Sequence, residues 1–257
     1  MKVALCQINS SGDIDSNLAL VEENVRTAAA EGARLIVFPE ATMHAFGAGP
    51  LTGSAARFGW FTTAIQSLVD DLSVAVVCGC FRPEEGERVY NTALIARPNE
   101  EPLLYDKTHL YDAFGFAESD TVAPGENVVT FDWEGITFGV AICFDIRFPA
   151  LFKKMARAGA QAIIVPTSWT PGEQKVYHWR LLSRARALDS ATFILATDQA
   201  FLDDGRTDPV GVGYSSVIDP LGQVVAELEQ DEGILYAELD TTAVEKVRQS
   251  LPVLGAD

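Results

Sequence analysis

Two passages of the sequence repeat one another, and the repeat restricts the architecture more than any other feature. Val3-Ala4-Leu5-Cys6, a helical stretch and Gly32-Ala33-Arg34-Leu35-Ile36-Val37-Phe38-Pro39 are echoed by Val140-Ala141-Ile142-Cys143, a second helical stretch and Gly159-Ala160-Gln161-Ala162-Ile163-Ile164-Val165-Pro166. Each passage reads as strand, helix, strand, closed by proline. Short runs this apolar, without alternation, suit strands buried on both faces. If the halves are related by a pseudo-two-fold, two sheets pack face to face with helices outside. The result is an α/β fold, a four-layer α-β-β-α sandwich. Unrelated strand-helix-strand units share composition, so chance likeness is the competing reading. In this alignment Cys6 matches Cys143 in position, but Cys6 is followed by Gln7 and a loop, and it reads as core.

The remaining elements follow from punctuation and period. A strand is expected over 2–8, and a helix over about 17–31 with Ser16 as N-cap and Gly32 as its stop. Leu35 to Phe38 is a strand that Pro39-Glu40 closes; a Gly-rich loop covers 42–53, and a helix 60–72 is apolar at Phe61, Ile65, Leu68 and Leu72. Strands over 74–80, 92–96 and 102–105 form a meander. The segment 106–125 has no clear period, and a loop that long in a compact domain is usually functional. Further on, 162–165 is a strand ending at Pro166 and 177–189 an amphipathic helix. Strands follow at 193–197, 215–218, 224–227 and 234–238, with Asp219-Pro220-Leu221-Gly222 as a hairpin turn, and the last helix covers 242–249. No linker or shift of composition marks a boundary, so residues 1–257 are read as one domain.

Cys143 stands at a special place in this scheme. It follows the strand-like Ile136 to Ile142 and precedes a helix that Pro149 opens and Gly159 ends. Open α/β sheets put their sites at the carboxyl ends of strands, and nearby helix amides would favour a thiolate. That is a nucleophile's position, although most unpaired cysteines are small core residues. All four cysteines, Cys6, Cys78, Cys80 and Cys143, lie in apolar runs without the spacing of a disulfide scaffold or a zinc site, which fits a reducing, cytoplasmic setting. Cys78-Gly79-Cys80 puts two thiols on one strand face, a distant alternative as a metal or redox site, but no neighbouring histidine or second pair completes it. No secretory leader or membrane-length apolar run is visible.

Charge narrows the partners. With 36 acidic residues against 19 basic ones, a formal −17, the chain lacks the clustered cations that nucleic acid and anionic membranes require. The basic concentration at Arg180, Arg184 and Arg186 has helical spacing and reads as structural ion pairs rather than an anion site.

A thiol that attacks an unreactive carbonyl needs a base, oxyanion donors and an acid for the leaving group. The three histidines, His44, His109 and His178, carry no neighbouring sequence that marks a base for Cys143. Glu40 ends a buried strand, where a charge is costly without a task or partner, and Lys107 enters a loop from the strand end Leu103-Leu104-Tyr105. A lone Glu or Lys is ordinarily a solvated surface charge. Three such groups at strand ends are not.

Phe38-Pro39-Glu40, Tyr105-Asp106-Lys107-Thr108-His109-Leu110 and Ala141-Ile142-Cys143-Phe144-Asp145-Ile146-Arg147-Phe148-Pro149 resemble the three signature segments of the nitrilase, or carbon-nitrogen hydrolase, superfamily. The likeness covers nearly the whole chain, including Asn91-Thr92-Ala93, Ala123-Pro124-Gly125 and Arg184-Ala185-Arg186-Ala187. It implies a Glu40-Lys107-Cys143 triad on the α-β-β-α sandwich, with Glu118 as a second glutamate. The backbone N–H of Phe144 and Lys107 would hold the oxyanion. It further implies a cofactor-free, metal-free amidase that pairs into a homodimer or larger assembly, with 177–189 and the last strand-helix segment as contact candidates. The chain stops soon after Leu251-Pro252-Val253-Leu254, where many relatives carry a tail. Within the superfamily it resembles the omega-amidase and deaminated-glutathione amidase branch, which implies a small linear amide as substrate. Aliphatic amides, nitriles and N-carbamoyl amino acids are the alternatives for the same triad. Arg147, Lys175 and His178 are the candidate partners for a carboxylate on the substrate, and Arg147 could equally pair with Asp145.

Overall fold

The computed structural model describes residues 1–113, 115–202 and 210–255. In chain order the elements are β1 (Lys2–Gln7), α1 (Ile14–Ala30), β2 (Leu35–Val37), α2 (Leu51–Ala55), α3 (Phe58–Leu72), β3 (Ala75–Pro83), β4 (Val89–Ala96) and β5 (Leu103–Asp106). Short strands β6 (Asp112–Ala113), β7 (Phe116–Ala117) and β8 (Val122–Ala123) follow. The second half holds β9 (Thr130–Trp133), β10 (Ile136–Val140), α4 (Pro149–Arg157), β11 (Ala162–Thr167), α5 (Lys175–Ser190) and β12 (Phe193–Asp198). The chain ends with β13 (Ser216–Ile218), β14 (Val224–Glu227), β15 (Gly233–Glu238) and α6 (Thr242–Ser250).

The strands form two sheets of one design. The first runs β15-β1-β2-β3-β4-β5, with β8 beside β4, and the second runs β9-β10-β11-β12-β13-β14. In both, the sense along the row is antiparallel, parallel, parallel, antiparallel, antiparallel. The pseudo-two-fold is therefore present in the topology. Alternation along the strands assigns their faces: Val3, Leu5, Leu35, Val37 and Val77 share a buried cluster with Phe138, Val140, Ala162 and Ile164 of the other sheet. Ala4, Cys6, Ile36, Val76 and Cys78 turn outward onto Val21, Val25, Phe61 and Ile65 of α1 and α3. The four layers of the sandwich follow from that division.

Register corrects three expectations. Val3 pairs with Leu35, whereas in the second sheet Phe138 pairs with Ala162, so the superposed halves place Ile8, and not Cys6, opposite Cys143. Cys6 is fully buried on the α1 side, and burial pushes its thiol far up. Helix α1 begins three residues early, because the Asp13 carboxylate, accepting from the N–H groups of Asp15 and Ser16, is its cap in place of Ser16. Strand β11 continues through Pro166 to Thr167. β10 pairs with it only as far as Ile164, so the missing N–H of Pro166 faces no partner strand.

One glycine sets the distance between β3 and the segment that follows β2. Gly79 donates to Pro39 O at 2.9 Å and accepts from Met43 N at 3.0 Å, and a Cβ there would stand 2.5 Å from Ala41 N and 2.6 Å from Glu40 Cα. Those neighbours are backbone and cannot rotate away. Gly79→Ala is expected to lower stability by about 1–3 kcal/mol in urea unfolding, and a crystal structure of the variant should show the 39–41 segment displaced.

Candidate active site

Four strand ends converge on one pocket: Glu40 follows β2, Lys107 follows β5, Cys143 follows β10 and Ser168 follows β11. The pocket is a cavity of about 860 Å³ whose lining includes Glu40, Lys107, Glu118, Cys143, Phe144 and Trp169. Lys107 lies at its floor, 2 % exposed, with its ammonium 2.9 Å from Glu40 Oε1 and 2.9 Å from Glu118 Oε2. Asn91 Nδ2 donates to both glutamates, at 2.7 Å to Glu40 and 3.1 Å to Glu118. Backbone donors complete the two carboxylates: Ser168 N reaches Glu40 Oε2 at 2.8 Å, and Tyr111 N reaches Glu118 Oε2 at 2.7 Å. Burial alone would pull the lysine down, but Glu118 and Glu40 outweigh it and hold the ammonium well above its ordinary range.

Cys143 sits at a sharp corner. Its φ is +44°, a left-handed conformation that costs a non-glycine residue about 1–3 kcal/mol. A five-residue 3₁₀ turn, 143–147, follows directly, and α4 starts only at Pro149. Cys143 therefore opens a 3₁₀ turn and not α4 itself. Burial first, and then the charge of Glu40, push the thiol well above its usual value, with Lys107 opposing. Its Sγ lies 3.9 Å from the Ser168 carbonyl, and a thiol pushed up in this way needs a neighbouring base to ionise.

The buried carboxylate of Asp145 ties this corner to the lysine loop. Its Oδ2 accepts from Ile142 N at 2.9 Å and Tyr105 OH at 2.7 Å; Oδ1 accepts from Thr108 Oγ1 at 3.0 Å, His109 N at 3.0 Å and His109 Nδ1 at 2.7 Å. Arg186, itself buried in α5, holds the far end of the turn through Ile146 O at 2.8 Å. Asp198 at the end of β12 accepts from Trp169 N and Val212 N, fixing the wall beside Ser168; burial pushes its carboxyl well up against those donors.

The structure brings Glu40, Lys107, Glu118, Cys143, Phe144, Lys175 and His178 to the pocket, and Arg147 is not among its lining residues. Arg147 does not pair with Asp145 either; its guanidinium lies over the rings of Trp169, at 5.3 Å, and Phe144, at 5.9 Å. Lys175 Nζ is 3.1 Å from Tyr111 OH. His109 is occupied by Asp145 and stacked on Phe148, and His44 is buried away from the pocket. Of the basic trio, Arg180 and Arg186 form ion pairs with Glu227 and Asp189, and Arg184 caps the carbonyl of Gly222. Asn91, Asp145, Ser168 and Asp198 were not assigned from sequence, whereas Arg186 forms the ion pair its helical spacing suggested. Asp145 stood inside a signature segment and Asn91 in a further stretch of likeness, which was the available signal.

Asp145→Ala would take the carboxylate partner from two buried donors, Ile142 N and Tyr105 OH, each costing about 1–3 kcal/mol. The expected loss of stability in chemical denaturation is therefore ~2 kcal/mol or more.

Comparison with known proteins adds a family to this geometry. The carbon-nitrogen hydrolase model matches residues 2–249. A hydrolase of Mycobacterium tuberculosis is 42% identical over 265 residues, covering 99% of this chain and 94% of that protein. The omega-amidase NIT2 of Mus musculus is 31% identical over 262 residues, 98% of this chain and 93% of that protein. Among solved structures, Nit3 of Saccharomyces cerevisiae, a member of branch 10 of the nitrilase superfamily, superposes with a TM-score of 0.85 at 30% identity, covering 98% and 94% of the two chains. An amidase of Nesterenkonia AN1 from the same superfamily gives 0.83 at 27% identity, covering 98% and 95%.

Proposed function

The chain belongs to the carbon-nitrogen hydrolase family, and from that premise we propose that it is a thiol amidase, one domain in extent, with Glu40, Lys107 and Cys143 as its catalytic triad. The observation that carries this reading is the buried ammonium of Lys107 held between Glu40 and Glu118 in the pocket that the buried thiol of Cys143 also lines. Glu40 takes the proton of Cys143 as sulfur attacks the amide carbonyl. Lys107 and the N–H of Phe144 hold the oxyanion. Glu40 then gives its proton to the departing ammonia, leaving a thioester, and activates the water that hydrolyses it. Glu118 keeps the lysine in place. These groups are in contact, so they titrate together and not one by one.

The substrate in this reading is a small linear amide whose far end carries a carboxylate. Support comes from Lys175 and His178 in the pocket lining, from the aromatic walls Tyr111, Phe144 and Trp169, and from likeness to omega-amidases. In a protein of formal charge −17, a local cation offsets the background repulsion of an anionic ligand. Arg147 stands behind this wall, its guanidinium over the rings of Trp169 and Phe144. We also propose a homodimer or larger assembly in the cytoplasm. α5 exposes Tyr177, Leu181 and Leu188, and Leu221 is exposed on the neighbouring hairpin turn. Light scattering at micromolar concentration should give at least twice the chain mass, and a monomer would overturn the assembly.

Cys143→Ala is expected to lower turnover roughly 10⁴-fold or more with an unchanged circular dichroism spectrum, while Cys6→Ala stays near wild type. Retained hydrolysis by Cys143→Ala would overturn the mechanism. Ammonia release across short amides, nitriles and N-carbamoyl amino acids tests the substrate. An omega-amide of a dicarboxylic acid should surpass its neutral analogue, and Lys175→Met should erode that advantage about tenfold, close to a charged hydrogen bond's ~1.5 kcal/mol. Equal kcat/KM for the two amides in wild type would move the enzyme to the aliphatic amidases.

A further inference from the structure

The oxyanion role proposed for Lys107 demands a donor that the resting site does not leave idle. An ammonium has three N–H bonds. Three carboxylate oxygens lie around Nζ, namely Glu40 Oε1 at 2.9 Å, Glu118 Oε2 at 2.9 Å and Glu118 Oε1 at 3.1 Å. Turning one N–H toward a substrate oxygen would leave a buried carboxylate oxygen short of a donor, which is costly.

Asn91 meets that shortage. Its Nδ2 donates to Glu40 Oε1 and Glu118 Oε1, two of the three oxygens that Lys107 contacts, and Tyr111 N serves the third. The residue is fixed within β4, opposite Phe81 of β3, and its own carbonyl accepts from Lys107 N at 2.9 Å. The side chain is fully buried, and among the described residues its Oδ1 has no partner. Buried amides of purely structural use ordinarily satisfy both ends. Here the reverse orientation would set a carbonyl oxygen against two carboxylates, so the donors alone define how the side chain sits.

We infer that Asn91 is a positioning residue for Lys107. By holding Glu40 Oε1 and Glu118 Oε1, it lets the ammonium turn one N–H to the oxyanion without stranding either glutamate. A carboxamide does this without adding charge. A second cation in its place would compete with Lys107 for both carboxylates and weaken Glu40 as a base. The inference rests on the amidase reading and extends it to a residue outside the triad.

The test compares Asn91→Leu, of similar size and without donors, and Asn91→Ser, smaller and with one hydroxyl donor, against wild type. Two rates are read: steady-state hydrolysis of the best amide, and thiolation of Cys143 by methyl methanethiosulfonate, which consumes thiolate but builds no oxyanion. Cys6, Cys78 and Cys80 are fully buried, and peptide mapping assigns the label. Asn91→Leu is expected to lose about 100-fold in kcat, the scale of a lost oxyanion donor, with KM and the thiolation rate each within about threefold of wild type. Asn91→Ser should lose about tenfold or less, and it decides the matter by the same comparison if the leucine variant fails to fold. A kcat within about threefold of wild type, or thiolation that slows in parallel with kcat, overturns the inference. Wild-type hydrolysis tests the amidase reading by itself, whereas the ratios of variant to wild type test Asn91.

Discussion

The ammonium of Lys107, buried between two glutamates, is the interaction on which the site depends. A lysine taken out of water would ordinarily surrender its proton. Here the two carboxylates hold it charged, and the lysine, Asn91 and two backbone N–H groups supply the donors around them. The arrangement places the ammonium and a carboxylate in one pocket with a thiol that burial pushes well above its usual range. Chemistry in a water-poor pocket draws more from such preorganised charge than a solvated site could.

The fold supplies the geometry by bringing carboxyl ends of strands from both sheets to one place. Glu40 and Lys107 belong to the first sheet and Cys143 to the second. Contact across the sandwich must therefore be held to a fraction of an ångström. Asp145 does much of this, since its donors come from the corner of Cys143 and from the lysine loop at once. Gly79 does the same for Glu40 by admitting the 39–41 backbone where no Cβ would fit. The left-handed backbone of Cys143 is tolerated because Asp145 and Arg186 pin the turn that follows it.

Much of this was legible before any coordinates. The doubled strand-helix-strand passage pointed to the two sheets, and the strand ends carrying Glu40, Lys107 and Cys143, with the family resemblance, pointed to the pocket where the structure brings them together. What escaped did so for physical reasons. Register is a property of pairing, so the two-residue offset that separates Cys6 from Cys143 shows only in the partners of Val3 and Phe138. A cap is chosen by competition among neighbours, and Asp13 prevailed over Ser16 because its side chain reaches two N–H groups. Asp145 and Asp198 look like surface charges in a sequence, and only tertiary burial gives them their donors. The place of Arg147 over the Trp169 and Phe144 rings was not legible, because spacing along the chain does not tell which way a turn aims its side chains.

The claim that a thioester on Cys143 links amide cleavage to hydrolysis is tested most directly by trapping it. With saturating amide and rising hydroxylamine, the account predicts a growing share of hydroxamate at the expense of carboxylate. Quenched enzyme should carry the acyl mass on the Cys143 peptide. Carboxylate as the sole product at every hydroxylamine concentration, with no acyl mass on Cys143, would contradict it.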